Sequence, residues 1–333
     1  MAEQLRTGIV GTGGWGTHIA EQFHEHPDAE VVALADIAAE SRTQAGETLE
    51  VPPSNRYEDH ESMLERADLD AIQISSPHEL HYEQTIAALE AGVHVFCEKP
   101  FTPGLERARD LARRAQASEQ VLMVGYQRHV NPAYVAIRDA ISDGDLEPKV
   151  VTAELTQDWI ETVAGTWRVN ADLSGGGQLY DSGSHLLDAI IWMLDDVPTH
   201  VNAEMEFYEE PPVDVQAALT VRFDSGTIAN ITVSGDSPDV SERIAVRGDG
   251  GRCLLEGSGW TDREVTITDA SGAVQTSLEG ALSSYGKVDA FVQAVKTGTE
   301  PPATAENALQ ATALTEAAYD SARLGERVPV EPN

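Results

Sequence analysis

Three groups of residues in this chain have the types and spacing to do chemistry. The first is Gly11-Thr12-Gly13-Gly14-Trp15-Gly16, a GxGxxG run that closes the apolar stretch Leu5 to Val10. A helix-like segment follows, then a second apolar run, Val31 to Ala35, that ends in Asp36-Ile37. Gly11 lets a strand turn sharply into a helix. Gly13 leaves the backbone bare, so a pyrophosphate can come close, and Gly16 lets the helix pack against the strand. The free N–H groups and positive dipole end of that helix suit phosphates. Asp36 lies twenty residues past Gly16, the spacing of an acid that binds the adenosine ribose hydroxyls of a dinucleotide. Its carboxylate favours the free 2′-hydroxyl of NAD and repels a 2′-phosphate. Arg42 lies a few residues on and could reach a phosphate, so NADP is the alternative.

The second group is Glu98-Lys99-Pro100, directly after the apolar run His94 to Cys97. Ligands bind outside the C-terminal ends of parallel strands. A lysine there can hydrogen-bond a substrate hydroxyl and favour loss of its proton. The plain alternative is a surface lysine. The third group runs from Gly175-Gly176-Gly177 to Asp188 and includes Asp181 and His185. Four residues apart on a helix, these two share a face. A carboxylate beside an imidazole orients a general base and stabilises its protonated form. Gly183 and Ser184 between them leave room for a ligand, and a purely structural Asp–His pair is the alternative. The histidines are otherwise scattered, and His78 and His81 form no recognised ligand set with nearby carboxylates, so no metal is expected.

The elements that must position these groups change character near residue 126. Before it, strand and helix patterns alternate. Helices are expected at Glu40–Leu49, His60–Arg66, Glu79–Ala91 and Pro103–Ser118, with strands at Ala71–Ile74, His94–Cys97 and Val121–Val124. Alternation of this kind predicts a parallel sheet covered on both faces. Pro132 opens a helix to about Asp143. After Val150 the chain is mostly strand-like, with hairpin turn signals at Asp224-Ser225-Gly226 and Gly248 to Gly251. Helical stretches at Tyr180–Leu194, Tyr285–Lys296 and Ala305–Leu324 interrupt or close it. The expected fold is α/β: a dinucleotide-binding domain with a parallel sheet over 1–126, and an α+β domain with a large, mostly antiparallel sheet over 127–333. The stretch Gly165 to Gly177 has little periodicity and reads as a loop.

The composition excludes several partners. At 333 residues the chain should hold two domains. Its net charge is −34, and its only lysines are Lys99, Lys149, Lys287 and Lys296. Such a surface would repel nucleic acid and anionic membranes. It is similar to the surfaces of proteins from salt-loving organisms, where ionic strength screens self-repulsion. Two cysteines are too few for a disulfide framework, and Cys97, within an apolar run, reads as a buried thiol. No secretory signal and no membrane-length apolar window is visible, so a cytoplasmic protein is expected.

Taken together, these pieces resemble the Gfo/Idh/MocA oxidoreductases, the glucose–fructose oxidoreductase and inositol dehydrogenase type. The resemblance rests on the glycine loop, Ser76-Pro77-His78-Glu79-Leu80-His81, Glu90-Ala91-Gly92, Glu98-Lys99-Pro100, Val124-Gly125-Tyr126-Gln127-Arg128, Trp167-Arg168 and Gly175 to Asp188. It implies a Rossmann domain plus an α/β domain with an open sheet, a nicotinamide between the two domains, and assembly into homodimers or homotetramers through the C-terminal sheet. Lys99, Asp181 and His185 are implied as the catalytic set, His185 being similar to the inositol dehydrogenase type where other members carry tyrosine. The cofactor would meet Gly11 to Gly16, Asp36 and Ile37 at its adenosine and pyrophosphate. Ser76, Pro77, His78, His81, Glu98 and Lys99 would line the nicotinamide side. Trp167, Arg168 and Tyr285 are implied to touch it from the second domain. Gln127, Arg128 and Asp158 are candidate substrate contacts. The implied reaction is hydride transfer between NAD(P) and a secondary hydroxyl of a sugar or cyclic polyol. A dinucleotide-binding sensor without turnover, or an NAD-dependent glycosidase, are the rival readings.

Overall fold

Short, almost wholly apolar runs in the first 126 residues build strands that are buried on both faces. In the computed structural model, which describes residues 4–208, 210, 212–280 and 286–331, six of them form one sheet. They are β1 (Leu5–Val10), β2 (Ala29–Ala35), β3 (Arg56–Tyr57), β4 (Ala71–Ile74), β5 (His94–Cys97) and β6 (Leu122–Val124). The order is β3-β2-β1-β4-β5-β6 and every pairing is parallel. Every residue of β4 and β6 is buried, as a sheet covered by helices on both sides requires. The covering helices are α1 (Gly14–Glu25), α2 (Ala39–Thr48), α3 (His60–Arg66), α4 (His81–Glu90) and α5 (Leu105–Ala117).

The chain divides into two compact units, and the division differs from a single boundary after residue 126. The first unit is 1–126 together with 286–306, and the second is 127–285 with 307–333. Helix Lys287–Thr297 thus returns to the first unit. Its Phe291 packs edge-on against Phe23 and Phe96, with ring centroids 6.0 and 5.7 Å apart. Nothing in the local sequence marks this return, because an amphipathic helix fits either core equally well.

In the second unit, α6 (Pro132–Ser142) starts as expected, with the Asn131 side chain accepting from the Ala133 N–H at 2.9 Å and Pro132 in the first turn. Strands β7 (Glu147–Asp158), β8 (Pro198–Phe207), β9 (Asp214–Phe223), β10 (Ile228–Ser234), β11 (Asp236–Asp249), β12 (Gly251–Ser258), β13 (Glu264–Asp269), β14 (Val274–Leu278) and β15 (Val328–Pro329) form a nine-stranded sheet. Its order is β14-β13-β12-β11-β7-β10-β9-β8-β15, antiparallel except for the β7–β10 pair. In β9 the buried Val215, Ala217, Leu219, Val221 and Phe223 alternate with exposed residues. One face of the sheet is thus buried, and each large apolar side chain contributes about 1.5–3 kcal/mol. The presumed loop 165–177 contains structure: a 3₁₀ turn at Trp167–Val169 and a short helix at Ala171–Ser174. The helix expected at Tyr180–Leu194 is two pieces, a π-helical turn at Leu179–Gly183 and an α-helix at Ser184–Leu194. All eleven residues of the latter are buried. The closing helix Ala305–Leu324 forms as expected. No helix among the described residues is long and apolar enough to cross a membrane.

Candidate active site

The glycine loop follows its expected roles. Gly11 has φ +83°, and a Cβ there would lie 2.7 Å from the Ser75–Ser76 backbone. A Cβ on Gly16 would stand 2.0 Å from the Gly11 carbonyl oxygen, so only glycine permits this approach. Around Gly13 and Gly14, by contrast, nothing lies within 4 Å of an added Cβ. Helix α1 begins at Gly14 with no side-chain cap, so its first N–H groups are free of side-chain partners and suit a phosphate. Asp36 at the end of β2 is fixed in place. Its Oδ2 accepts from the Thr12 N–H at 2.7 Å and from the Thr12 hydroxyl at 3.1 Å. Its Oδ1 accepts from the Ala38 N–H at 2.8 Å. Arg42 is turned back, donating to the Asp36 main-chain oxygen and lying 3.5 Å from Glu58. Ile37 is 91% exposed, an apolar surface beside the ribose acid.

At the ends of β4 and β5 the turns are tied together. Ser76 donates to Gln84 Oε1 at 2.6 Å. His81 is fully buried, with Nδ1 2.9 Å from the Pro100 oxygen and Nε2 3.1 Å from the Ser76 oxygen. Burial pushes its pKa below the ordinary histidine value against the pull of those carbonyls. His81 was expected to line a nicotinamide. It joins the Ser76-Pro77 turn to the cis Lys99-Pro100 turn, each ring nitrogen facing a main-chain oxygen. His78 is buried beside it, ring centroids 5.8 Å apart. Glu98 is buried and pairs with Lys287 of the returning segment. Lys287 also lies 5.3 Å from the Trp15 ring centroid. Burial pulls the Lys287 ammonium below the usual lysine range, with Glu98 acting in the opposite direction. The second carboxylate oxygen of Glu98, Oε2, is buried without a hydrogen-bond partner. A buried acceptor of that kind suits a ligand N–H, and so do the open glycines and the uncapped helix; together these residues fit a dinucleotide.

In the second unit, Asp181 lies on the π-helical turn and His185 one turn later on the α-helix. Trp159 Nε1 donates to Asp181 Oδ2 at 2.9 Å, and Arg168 Nε stands 3.2 Å from the same oxygen. The Arg168 guanidinium stacks over Trp167 at 4.6 Å. Of the pair expected against the cofactor, Arg168 thus stands beside the acid of the Asp–His group, with Trp167 stacked on it. The His185 ring lies 6.3 Å from Trp260, centroid to centroid. A π-helical turn widens the helix and is often found at functional sites. Gly183 suits it, because a Cβ there would already press Leu179 at 3.1 Å.

The three substrate-contact candidates part ways. Gln127 Oε1 is buried without a hydrogen-bond partner. Asp158 is exposed at the end of β7. Arg128, 2% exposed, is bonded through Nε and Nη2 to Glu242, which also binds Arg263 and Tyr134, while its Nη1 is buried without a hydrogen-bond partner. Tyr285 lies outside the described residues. Trp159, Trp260 and Lys287 carry parts of the site that sequence reasoning missed. The rarity of lysine singled out Lys287, but nothing local announced its acidic partner. Among the described residues, no group of three or more His, Cys, Asp or Glu is placed to hold a metal ion.

Known proteins resemble this chain in sequence and fold. Residues 5–126 match the oxidoreductase family with an NAD-binding Rossmann fold, GFO/IDH/MocA, and residues 134–253 match the GFO/IDH/MocA C-terminal domain. The chain is 26% identical over 322 residues to the D-xylose 1-dehydrogenase (NADP(+)) of Haloarcula marismortui, which covers 92% of this chain and 87% of that one. It is 26% identical over 329 residues to the myo-inositol 2-dehydrogenase of Thermotoga maritima, covering 95% and 96%. Among solved structures, the aldose-aldose oxidoreductase of Caulobacter crescentus complexed with glycerol superposes with a TM-score of 0.85 at 24% identity, covering 98% of this chain and 100% of that one.

Proposed function

The chain belongs to the Gfo/Idh/MocA oxidoreductases, and from that premise we propose that it oxidises, reversibly, a secondary hydroxyl of a sugar or cyclic polyol with NAD as the partner. One observation carries this reading. A chain with a glycine loop, a fixed Asp36 and a partnerless Glu98 oxygen also keeps Asp181 and His185 on consecutive helical turns. A protein that only sensed a dinucleotide needs the first set and not the second.

Gly11 to Gly16 would hold the pyrophosphate, Asp36 the adenosine ribose, and Ile37 the adenine. Ser76, Pro77, His78 and Glu98 would face the nicotinamide. NAD, when bound, supplies the acceptor for the hydride of the alcohol carbon. His185 takes the hydroxyl proton as general base. Lys99 donates a hydrogen bond to the same oxygen and stabilises its developing negative charge. Asp181, steadied by Trp159 and Arg168, orients the imidazole or the substrate hydroxyl. Gln127 and Asp158 would meet the remainder of the polyol. Arg42, occupied by Glu58 and the Asp36 carbonyl, is poorly placed to welcome a 2′-phosphate, which favours NAD over NADP. The same reading takes the protein to be a cytoplasmic homodimer or homotetramer, assembled through the exposed sheet face and adapted to high salt.

The test is a screen of aldoses, inositols, sugar acids and sugar phosphates with NAD and NADP in high-salt buffer, following reduced-cofactor absorbance. Turnover that disappears in Lys99→Ala identifies the substrate class. No turnover, while NAD still raises the melting temperature, points to a sensor. Release of an aglycone without net NAD consumption points to a glycosidase.

A further inference from the structure

Asp214, the first residue of β9, is fully buried and lies across the start of the helical run that carries Asp181 and His185. Its Oδ1 accepts from the Gly177 N–H at 2.6 Å and its Oδ2 from the Leu179 N–H at 2.7 Å. Tyr319, on the closing helix, donates its phenol to Oδ1 and accepts from the same Gly177 N–H at 3.3 Å. All the groups that meet the carboxylate are donors, so its ionised, acceptor-only form fits the site. The approach depends on two glycines. A Cβ on Gly177 would stand 2.1 Å from the Asp214 carbonyl oxygen, and one on Gly176 would stand 2.2 Å from the Tyr319 hydroxyl. Tyr180, the residue before Asp181, stacks on Tyr319 with centroids 6.0 Å apart and donates to Glu316 at 2.9 Å.

An ordinary N-cap is a local side chain that satisfies the first N–H groups of its own helix. Here the acceptor comes from 37 residues away, buttressed by a tyrosine a further 105 residues along. Burying a carboxylate is costly, and a local cap would serve helix formation without that cost. What the distant arrangement adds is a fixed position for the turn against the sheet. Asp181 is two residues beyond the Leu179 amide that Asp214 holds, and its own N–H donates to the Gly177 oxygen at 2.9 Å.

We propose that Asp214, with Tyr319 behind it, is a positioning residue: it sets where Asp181 and His185 stand through the Gly177 and Leu179 amides. This rests on the dehydrogenase reading above. The experiment compares Asp214→Asn and Tyr319→Phe with the wild type, each checked for folding by circular dichroism. Turnover, NADH affinity by fluorescence titration, and deuterium uptake over 177–185 are measured for all three. The expected result is a kcat lower by about 10²-fold in Asp214→Asn and about tenfold in Tyr319→Phe, the scale of a small misplacement. NADH affinity stays within about twofold, and exchange over 177–185 accelerates. Folded variants with lower melting temperature but unchanged kcat would overturn the proposal, leaving Asp214 a stabilising residue only. If Asp214→Asn does not fold, Tyr319→Phe decides by the same criteria. If the wild type turns over no substrate, the dehydrogenase reading fails. Exchange then decides for the clamp by itself: unchanged uptake over 177–185 overturns it, and faster uptake supports it.

Discussion

At the scale of single residues, the chemistry is divided between groups that would touch substrate and groups that hold them. His185→Ala removes the general base, so kcat should fall by about 10²–10⁴ while NADH binding is kept; a variant that retains most of its activity would remove His185 from the mechanism. Asp36 should set cofactor choice by repelling a 2′-phosphate. Asp36→Ser is therefore expected to lower the ratio of kcat/KM for NAD over NADP by at least about tenfold, a difference of about 1.4 kcal/mol. An unchanged ratio would mean that other groups discriminate. The types and spacing of Asp36, Lys99, Asp181 and His185 are visible in the chain because each follows a strand end, a glycine loop or a helical interval. The partners Lys287, Trp159 and Trp260 are not, because each comes from a segment distant in sequence whose side chain fits many environments.

At the scale of elements, the strands of both sheets are legible where burial alternates or is continuous, as in β9 and β4. The two-residue β3 and β15, and the largely exposed β14, were not foreseen, since so little apolar pattern marks them. Nor was the π-helical turn: it differs from an α-helix by hydrogen-bond register, which a 3.6-residue pattern does not encode. Gly16→Ala should disturb the junction of β1 and α1, because its Cβ would sit 2.0 Å from a main-chain oxygen that has no room to give; weakened NAD binding by calorimetry would report this. The network of Arg128, Glu242, Arg263 and Tyr134 links the start of the second unit to β11 and to the chain before β13. Arg128→Met strips Glu242 of a buried partner and should cost about 3–5 kcal/mol in denaturant unfolding. A change in KM with stability intact would return Arg128 to the substrate. Burial opposes the Glu242 charge most strongly, yet the two arginines outweigh it and hold the carboxyl down at about 2. A depressed acid stabilises the fold above its unfolded pKa, near the ordinary value of 4.5. The stability difference between wild type and Glu242→Gln should thus be complete above that pH and shrink as pH falls toward about 2.

At the scale of the whole molecule, a net charge of −34 on 333 residues makes self-repulsion the dominant surface term. Salt shortens the range of that repulsion to about 3 Å at 1 M from about 10 Å at 0.1 M. The melting temperature should therefore rise from low to molar salt; a flat response would mean that the acids are spaced widely enough to matter little. Light scattering across the same series reads the proposed dimer or tetramer.

The sequence by itself determined the class of fold, the dinucleotide loop with its acid, and the residue types for proton and hydride chemistry. These depend on local periodicity, on glycine's missing side chain and on short spacings, all of which are written along the chain. Only the tertiary structure decided that 286–306 returns to the first unit, that Arg128 pairs with Glu242, and that Asp214 and Tyr319 brace the turn before Asp181. Those facts depend on long-range packing, in which a carboxylate or a tyrosine carries no mark of the partner that folding brings to it.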